Sequence, residues 1–237
     1  MTKNNYSIVL LGYGEMGKTM EALLSPGNTV GVHDPYCEPE AKILDLPKAV
    51  ATADCVIFCT PTAAIYPLAT EIGPNLRNNC LCMSMAKSID TAGRTAAEAM
   101  REGLPPGQPT AFLFGPMIAE EILAGKPGFA MLVTEDNVAG SMAQALFQST
   151  RLKLKISEDV PGCAWSVVLK NVYALLFGMA DGLQLGDNMR GLLMVEVLQE
   201  IARIVEQKGG RSTTPYTLAG LGDLVTTATS PDSHHYS

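Results

Sequence analysis

Positive charge is scarce in this chain. Seventeen Lys and Arg face 24 Asp and Glu across 237 residues, a formal net charge of −7. A nucleic-acid surface or an anionic membrane calls for the opposite excess, so neither is expected as the main partner. A small anionic substrate stays open, because a few placed cations outweigh the global field locally. Charged residues of both signs amount to only 17%, against 47% hydrophobic, which excludes a disordered chain and implies a packed core. The N-terminal "MTKNNYSIVLLGYGEMG" lacks an apolar run long enough for a bilayer, and a turn motif stands where a signal peptide needs its cleavage site. A cytoplasmic protein with no membrane span is expected. The six cysteines lack a ligand pattern. Cys80 and Cys82 alternate around Leu81 on one strand face, but no second such pair completes a zinc site. They read, with Cys37, Cys55, Cys59 and Cys163, as mostly buried thiols in a reducing compartment, and no metal is expected. Internal repeats and low-complexity tracts are also missing.

What is present falls into two halves. Short apolar, β-branched runs predict strands at 6–12, 28–34, 55–60, 80–85, 110–115, 129–134 and 152–157. Helical patterns such as "AIYPLATEIGPNL" and "SMAQALFQST" lie between several of them. This alternation predicts an α/β fold, a Rossmann-type, mainly parallel sheet covered on both faces. Past Pro161 the strand signals stop. Two long helical patterns follow, the second ending at Lys208 and the Gly209–Gly210 pair. We expect a dinucleotide-binding domain over 1–160 and a smaller all-helical domain over 161–237.

"SIVLLGYGEMGKTMEALL" places Gly12, Gly14 and Gly17 as G-x-G-x-x-G directly after a strand and at the opening of a helix. Gly12 permits the tight turn, Gly14 removes a side chain that would block a pyrophosphate, and Gly17 permits close helix–strand packing. The helix N-terminus offers free N–H groups and positive dipole to phosphates. The turn residues Tyr13, Glu15 and Met16 join the glycines as candidate cofactor contacts. Asp34, at the end of the second strand, stands where a carboxylate accepts from ribose hydroxyls and repels a 2′-phosphate. It equally suits a turn before Pro35. Only Lys42 and His33 lie near enough in sequence to favour a 2′-phosphate, so NAD is expected over NADP. Thr60 and Pro61 of "CTPTAAI" fit a loop against the nicotinamide ribose, or an ordinary helix start.

One feature of the helical half is chemically odd. "LKNVYALLFGMADGL" is apolar enough for a buried helix, yet it carries Lys170, Asn171 and Asp181. A lysine is rarely buried unless something pairs with it. It either lays its stem over apolar neighbours with its head in water, or serves as an acid–base group whose pKa burial has lowered. Asp181, Asp187 and Asn188 read as turn and cap chemistry, and the adjacent Glu120 and Glu121 as a solvated helix face.

Several stretches together resemble the bacterial-type NAD(P)-dependent glycerol-3-phosphate dehydrogenases. They are "GYGEMGKT", "SMAKSID" (84–90), "FGPMIAEEILAGKPGFAML" (114–132), "LKNVYALLFGMADGLQLGDNMRGLLMVEVLQEIARI" (169–204) and "LAGLGDLVTTATSPDS" (218–233). The resemblance implies a Rossmann domain, a helical domain and an active site between them. It implies hydride transfer between NAD(H) and sn-glycerol 3-phosphate or dihydroxyacetone phosphate. By position, Lys170 matches the catalytic lysine, with Asn171, Asp223 and Lys87 completing the catalytic set. Lys87, Gly115, Thr227, Ser233 and His234 fall where substrate is bound, and Ala119 where cofactor is bound. The chain departs from the family pattern in four ways, one of them a segment between Asp34 and Cys55 that is short for the family. Met117 replaces a small serine, His234 stands in place of an arginine, and the family's helical domain runs on past residue 237. The 34–55 region with "VIFCTPTAAIYPLATEIGPNL" is closer to prephenate-type dehydrogenases. A prephenate-type or other hydroxy-acid dehydrogenase, and an inactive NAD-binding or sensing homologue, therefore remain as alternatives. The apolar helical half is expected to leave a patch exposed and to pair two copies through residues 161–210.

Overall fold

The structure is a computed structural model that describes residues 5–37, 42, 43 and 45–229. It alternates strand and helix through the first two thirds of the chain: β1 Ser7–Leu11, α1 Glu15–Leu24, β2 Thr29–His33, α2 Leu46–Thr52, β3 Cys55–Phe58, α3 Thr62–Ile72, β4 Leu81–Ser84, α4 Ala96–Gly103, β5 Thr110–Phe114, α5 Ala119–Leu123, β6 Gly128–Val133, α6 Asn137–Phe147 and β7 Leu152–Ser157. Among the described residues only helices follow: α7 Val160–Gly182, α8 Gly186–Gln207, a 3₁₀ turn at Thr214–Tyr216, a π-helical turn at Leu218–Gly222, and α9 Asp223–Thr229. All seven expected strands form, each within two residues of its expected ends. Two helices escaped the sequence reading, α2 and α4. The latter carries a readable signal, the Thr95–Glu98 capping box in which each side chain satisfies the other's backbone N–H.

The strands form one sheet in the order β2-β1-β3-β4-β5-β6-β7. Every neighbouring pair is parallel except β5–β6, where Phe114 faces Met131 in an antiparallel register. Strands β3 and β4 are buried at every position, the pattern of a sheet covered on both faces. Alternate residues feed two cores. Val9, Leu11, Val56, Phe58, Phe112 and Phe114 pack under α2, α3 and α4. Ile8, Leu10, Ile57, Met83, Leu113 and Leu132 pack under α1 and α6. A third core, built on Phe177, Ile201, Val205 and Leu224, holds α7, α8 and α9 together. The first turns of α7 belong to the sheet rather than to this third core. Val160, Cys163, Ala164 and Val167 pack with the β-strand residues, so one continuous helix spans from the sheet layer into the helical layer.

Helix α7 is long and apolar enough to cross a bilayer by length and composition alone, with a mean hydropathy of 1.4 over its most apolar window. Here half of that window is buried against the protein itself. Lys170 and Asn171 turn toward the sheet edge, whereas Asp181 pairs with Arg190 of α8 at 2.6 Å.

The β1–α1 turn is where glycine is structurally required. Gly12 adopts φ +97°, and a Cβ there would stand 2.8 Å from the Cys59 carbonyl oxygen. A Cβ on Gly17 would run into the carbonyl oxygen of Gly12, whereas one on Gly14 would meet nothing within 4 Å. Gly17→Ala is therefore expected to cost about 1–3 kcal/mol of stability through overpacking, and Gly14→Ala less than about 1 kcal/mol. Urea denaturation of the two variants checks the ordering.

Candidate active site

The loops that follow β1, β2, β3, β4 and β5 all emerge at the carboxyl edge of the parallel strands, where open α/β sheets bind ligands. Each brings a sequence-expected residue: Gly12–Gly17 after β1, Asp34 after β2, Thr60 and Pro61 after β3, Lys87 after β4, Gly115 after β5. Helices α7 and α9 deliver the rest.

The centre of the arrangement is Asp223, 3% exposed at the first residue of α9. Its carboxylate lies between two ammonium groups. Lys87 Nζ is 3.1 Å from Oδ1 and 2.9 Å from Oδ2, and Lys170 Nζ is 3.3 Å from Oδ2. Lys87 also donates to the Gly115 carbonyl at 2.8 Å. Gly115 adopts φ +145°, and a Cβ there would press on the Phe129 carbonyl at 2.8 Å, so its carbonyl can take this position only as glycine. Lys170 donates to Thr227 Oγ1 at 2.7 Å, and that hydroxyl donates one turn back to the Asp223 carbonyl at 2.8 Å. The question raised by the lysine in an apolar helix is thus answered. Lys170 is 5% exposed and paired rather than snorkelling into water. Burial lowers its pKa from the ordinary 10.5 to about 8; Asp223 opposes that fall and Lys87 adds to it.

Asn171, next to Lys170, faces the loop that carries Lys87. Its side-chain amide donates to the Lys87 backbone carbonyl at 2.8 Å and so holds the β4–α4 loop against α7. That loop is pinned on its other side by Ser88, which donates to Thr62 Oγ1 at 2.9 Å, while Thr62 Oγ1 reaches the Ser88 carbonyl at 3.0 Å. Sequence reasoning missed Thr62 and Ser88; nothing in their local pattern marks a contact 26 residues apart. Thr60, two residues from Thr62, lies against Gly12. Its methyl would be 2.9 Å from a Cβ on that glycine. A continuous run of contacts thus joins the glycine turn to the ammonium pair.

The glycine turn itself has the features of a phosphate cradle. Gly14 stands at the N-cap of α1 and offers no side chain, so the helix's first N–H groups are not satisfied by a capping side chain, and the space beyond Gly14 is open. Thr60 Oγ1 is buried with no hydrogen-bond partner among the described residues. These features fit a dinucleotide. Tyr13 and Met16 are half-buried, packing on the core under α1, and Glu15 is exposed in the helix's first turn. Asp34 acts as the turn former: Oδ1 accepts from Tyr36 N at 2.8 Å, and Oδ2 from Tyr13 N at 2.7 Å. Two lone pairs remain for a ribose, since each carboxylate oxygen accepts twice.

Ala119 is buried at the start of α5, which packs on α1. Met117, where the resemblance implied a serine, is 6% exposed and joins the core under α1. Ser233 and His234 lie outside the described residues. Among those described, no group of three or more His, Cys, Asp or Glu is placed to hold a metal ion.

A sheet-edge glycine turn with the features of a dinucleotide cradle, joined to a lysine–aspartate–lysine centre in which Asp223 and Lys170 are buried, defines the class: a Rossmann-type protein of the nicotinamide-dependent kind. Two family profiles match, described as the NAD-dependent glycerol-3-phosphate dehydrogenase N-terminus over residues 40–139 and C-terminus over 159–237. A glycerol-3-phosphate dehydrogenase [NAD(P)+] from Synechococcus sp. is 33% identical over 232 residues, covering 97% of this chain and 74% of that protein. One from Deinococcus radiodurans is 37% identical over 198 residues, covering 83% of this chain and 58% of that protein. Among solved structures, glycerol-3-phosphate dehydrogenase from Coxiella burnetii superposes with a TM-score of 0.86 at 24% identity, covering 98% of this chain and 78% of that one. The chain belongs to the NAD-dependent glycerol-3-phosphate dehydrogenase family. It spans between about half and three quarters of the length of the relatives it matches.

The depressed pKa of Lys170 makes a stability prediction with a definite sign. Between about pH 8 and 10.5 the unfolded chain keeps the Lys170 proton and the folded chain has lost it. Raising pH through that window therefore favours the folded state, by an amount on the order of 3 kcal/mol. Lys170→Met removes this dependence. Because the buried thiols, whose pKa values burial raises, lose stability over the same range, the readout is the difference: chemical denaturation at pH 7 and pH 10 is expected to show the stability of wild type relative to Lys170→Met increasing with pH.

Proposed function

We propose that the protein is an oxidoreductase that transfers hydride between NAD(H) and sn-glycerol 3-phosphate or dihydroxyacetone phosphate. The observation that carries this reading is Lys170: a buried ammonium with a pKa near 8, held by Asp223 and Thr227 at the carboxyl edge of a dinucleotide-type sheet. Gly12, Gly14, Gly17 and the N-terminus of α1, which no side chain caps, would hold the cofactor's pyrophosphate. Asp34 would take a ribose hydroxyl, which favours NAD over NADP. When bound, the nicotinamide supplies or accepts the hydride.

The chain's own residues do the rest. When a carbonyl is reduced its oxygen gains negative charge, and Lys170 delivers a proton to it; in the opposite direction the neutral amine removes the hydroxyl proton. A pKa near 8 suits both tasks, because the two protonation states are close in free energy near neutral pH. Asp223 orients the ammonium and limits the fall of its pKa. Lys87 adds a second positive charge beside the same carboxylate, so Lys87, Lys170 and Asp223 together carry one net positive charge that attracts an anionic substrate and stabilises an alkoxide. Asn171 secures the loop that carries Lys87, and Gly115 anchors the Lys87 ammonium. The matching of this chain to relatives named for this activity supports the choice of substrate.

Spectrophotometric NADH oxidation with dihydroxyacetone phosphate tests the reading; wild type without turnover at any enzyme concentration defeats it. Lys170→Ala is expected to lower kcat by about 10²–10⁴-fold while NADH binding persists. In wild type, kcat for carbonyl reduction should fall as pH rises through about 8, and kcat for alcohol oxidation should rise through the same midpoint.

The protein is further proposed to act in the cytoplasm, where its free and largely buried cysteines stay reduced, and to work as a homodimer. α7 exposes Val172, Leu175 and Met179 along one stripe, Leu183 continues it just past the helix end, and α8 adds Leu192 and Val195, each between 53% and 68% exposed. Such a contiguous apolar face is characteristic of an interaction surface. Sedimentation at micromolar concentration is expected to give a dimer that Leu175→Glu converts to monomer; a monomeric wild type refutes the pairing.

A further inference from the structure

Asp159 stands at the joint between β7 and α7, away from the ammonium groups. Its carboxylate is 6% exposed and accepts hydrogen bonds from three neutral donors. Oδ1 takes the Gly162 N–H at 3.0 Å, capping α7. Oδ2 takes the Arg211 N–H at 2.9 Å and the Thr214 hydroxyl. Burying a carboxylate is costly unless such donors are supplied, so three donors on one acid mark a place where geometry is held firmly. Two of them come from more than 50 residues away, on the segment that follows α8.

Two glycine contacts make this bracket close-fitting. A Cβ on Gly210 would collide with the backbone of Gly162 in the first turn of α7, and one on Gly220 would collide with the backbone of Pro215. The connection therefore runs without slack from Asp159 to Thr214, from Pro215 to Gly220, and through the π-helical turn into α9. The N–H groups of Gly220 and Gly222 donate to the Thr217 carbonyl at 3.3 and 3.1 Å, and Asp223 follows at once. The bracket thus ties the start of α7, the helix that carries Lys170, to the start of α9, the helix that carries Asp223 and Thr227.

We propose that Asp159 is a positioning residue for the reaction: through Thr214 it sets α9 against α7 and thereby holds Asp223 and Thr227 at bonding distance from Lys170. This rests on the dehydrogenase reading above for its catalytic consequence, though not for its geometry. The charged groups facing Lys170 are Asp223 of α9 and Lys87 of the β4–α4 loop. If α9 withdraws, the attraction to Asp223 weakens while burial and Lys87 still oppose the ammonium, and the amine loses its proton at lower pH.

The test uses Thr214→Val, which deletes one hydroxyl with little change of shape and leaves Asp159 and its cap of α7 in place. Two quantities are read: kcat with dihydroxyacetone phosphate, and the Lys170 titration followed by NMR on protein labelled at lysine Cε, assigned by Lys170→Arg. The expected result is a fall in kcat of about tenfold or more, little change in KM for NADH, and a Lys170 midpoint below the wild-type value. Thr214→Ser should restore both readings. If Thr214→Val lowers only the melting temperature, leaving kcat and the Lys170 midpoint at wild-type values, the proposal is overturned. Should wild type show no turnover, the dehydrogenase reading fails while the titration still decides the positioning.

Discussion

A single carboxylate between two ammonium groups governs this molecule's chemistry. Asp223 touches both Lys87 and Lys170, and those three residues come from the loop after β4, the middle of α7 and the start of α9. Without the acid, a buried and a half-buried cation would repel each other at the sheet edge. With it, both are held, yet the balance at Lys170 still falls against the charged form, because desolvation exceeds what one shared carboxylate restores. Sharing is the decisive point. An aspartate devoted to Lys170 alone would favour the protonated amine more strongly and move it away from the range in which a proton can be both given and taken near neutrality.

The architecture that supports this centre combines a rigid base with a closely fitted cover. The parallel sheet aligns the ends of β1 to β5, so the glycine turn, the Thr60 loop, Lys87 and Gly115 share one edge. The cover is α7, whose first turns lie in the sheet's own core and whose later turns pack with α8 and α9. One helix belonging to both layers transmits the orientation of the sheet to Lys170. Asp159 and the Gly162–Gly210 contact sit at the point where that helix begins, and they bind the returning chain to it.

Much of the fold was legible because its signals are local. Continuous β-branched runs mark strands buried on both faces, and G-x-G-x-x-G after such a run marks the turn where Gly12 needs a positive φ and Gly17 has no room for a side chain. The capping box of α4 was equally readable and went unread. Asp34 shows how far such signals reach. Its turn-forming role before Pro35 follows from local stereochemistry, and the Tyr36 N–H bond is that local contact. The structure shows both oxygens engaged by backbone N–H groups, one of them 21 residues away.

The sequence by itself determined the strands, the glycine turn and the presence of a lysine where a helix is otherwise apolar, since each depends on backbone stereochemistry or spacing within a few residues. Tertiary structure decided what that lysine is. Its charge balance, the turning of Asn171 toward the Lys87 carbonyl, the burial of Met117 and the bracket at Asp159 depend on contacts between residues distant along the chain, up to 136 positions apart for Lys87 and Asp223. Desolvation and Coulomb attraction depend on distance in space, and no periodicity in a chain specifies which distant residues the fold will bring within 3 Å.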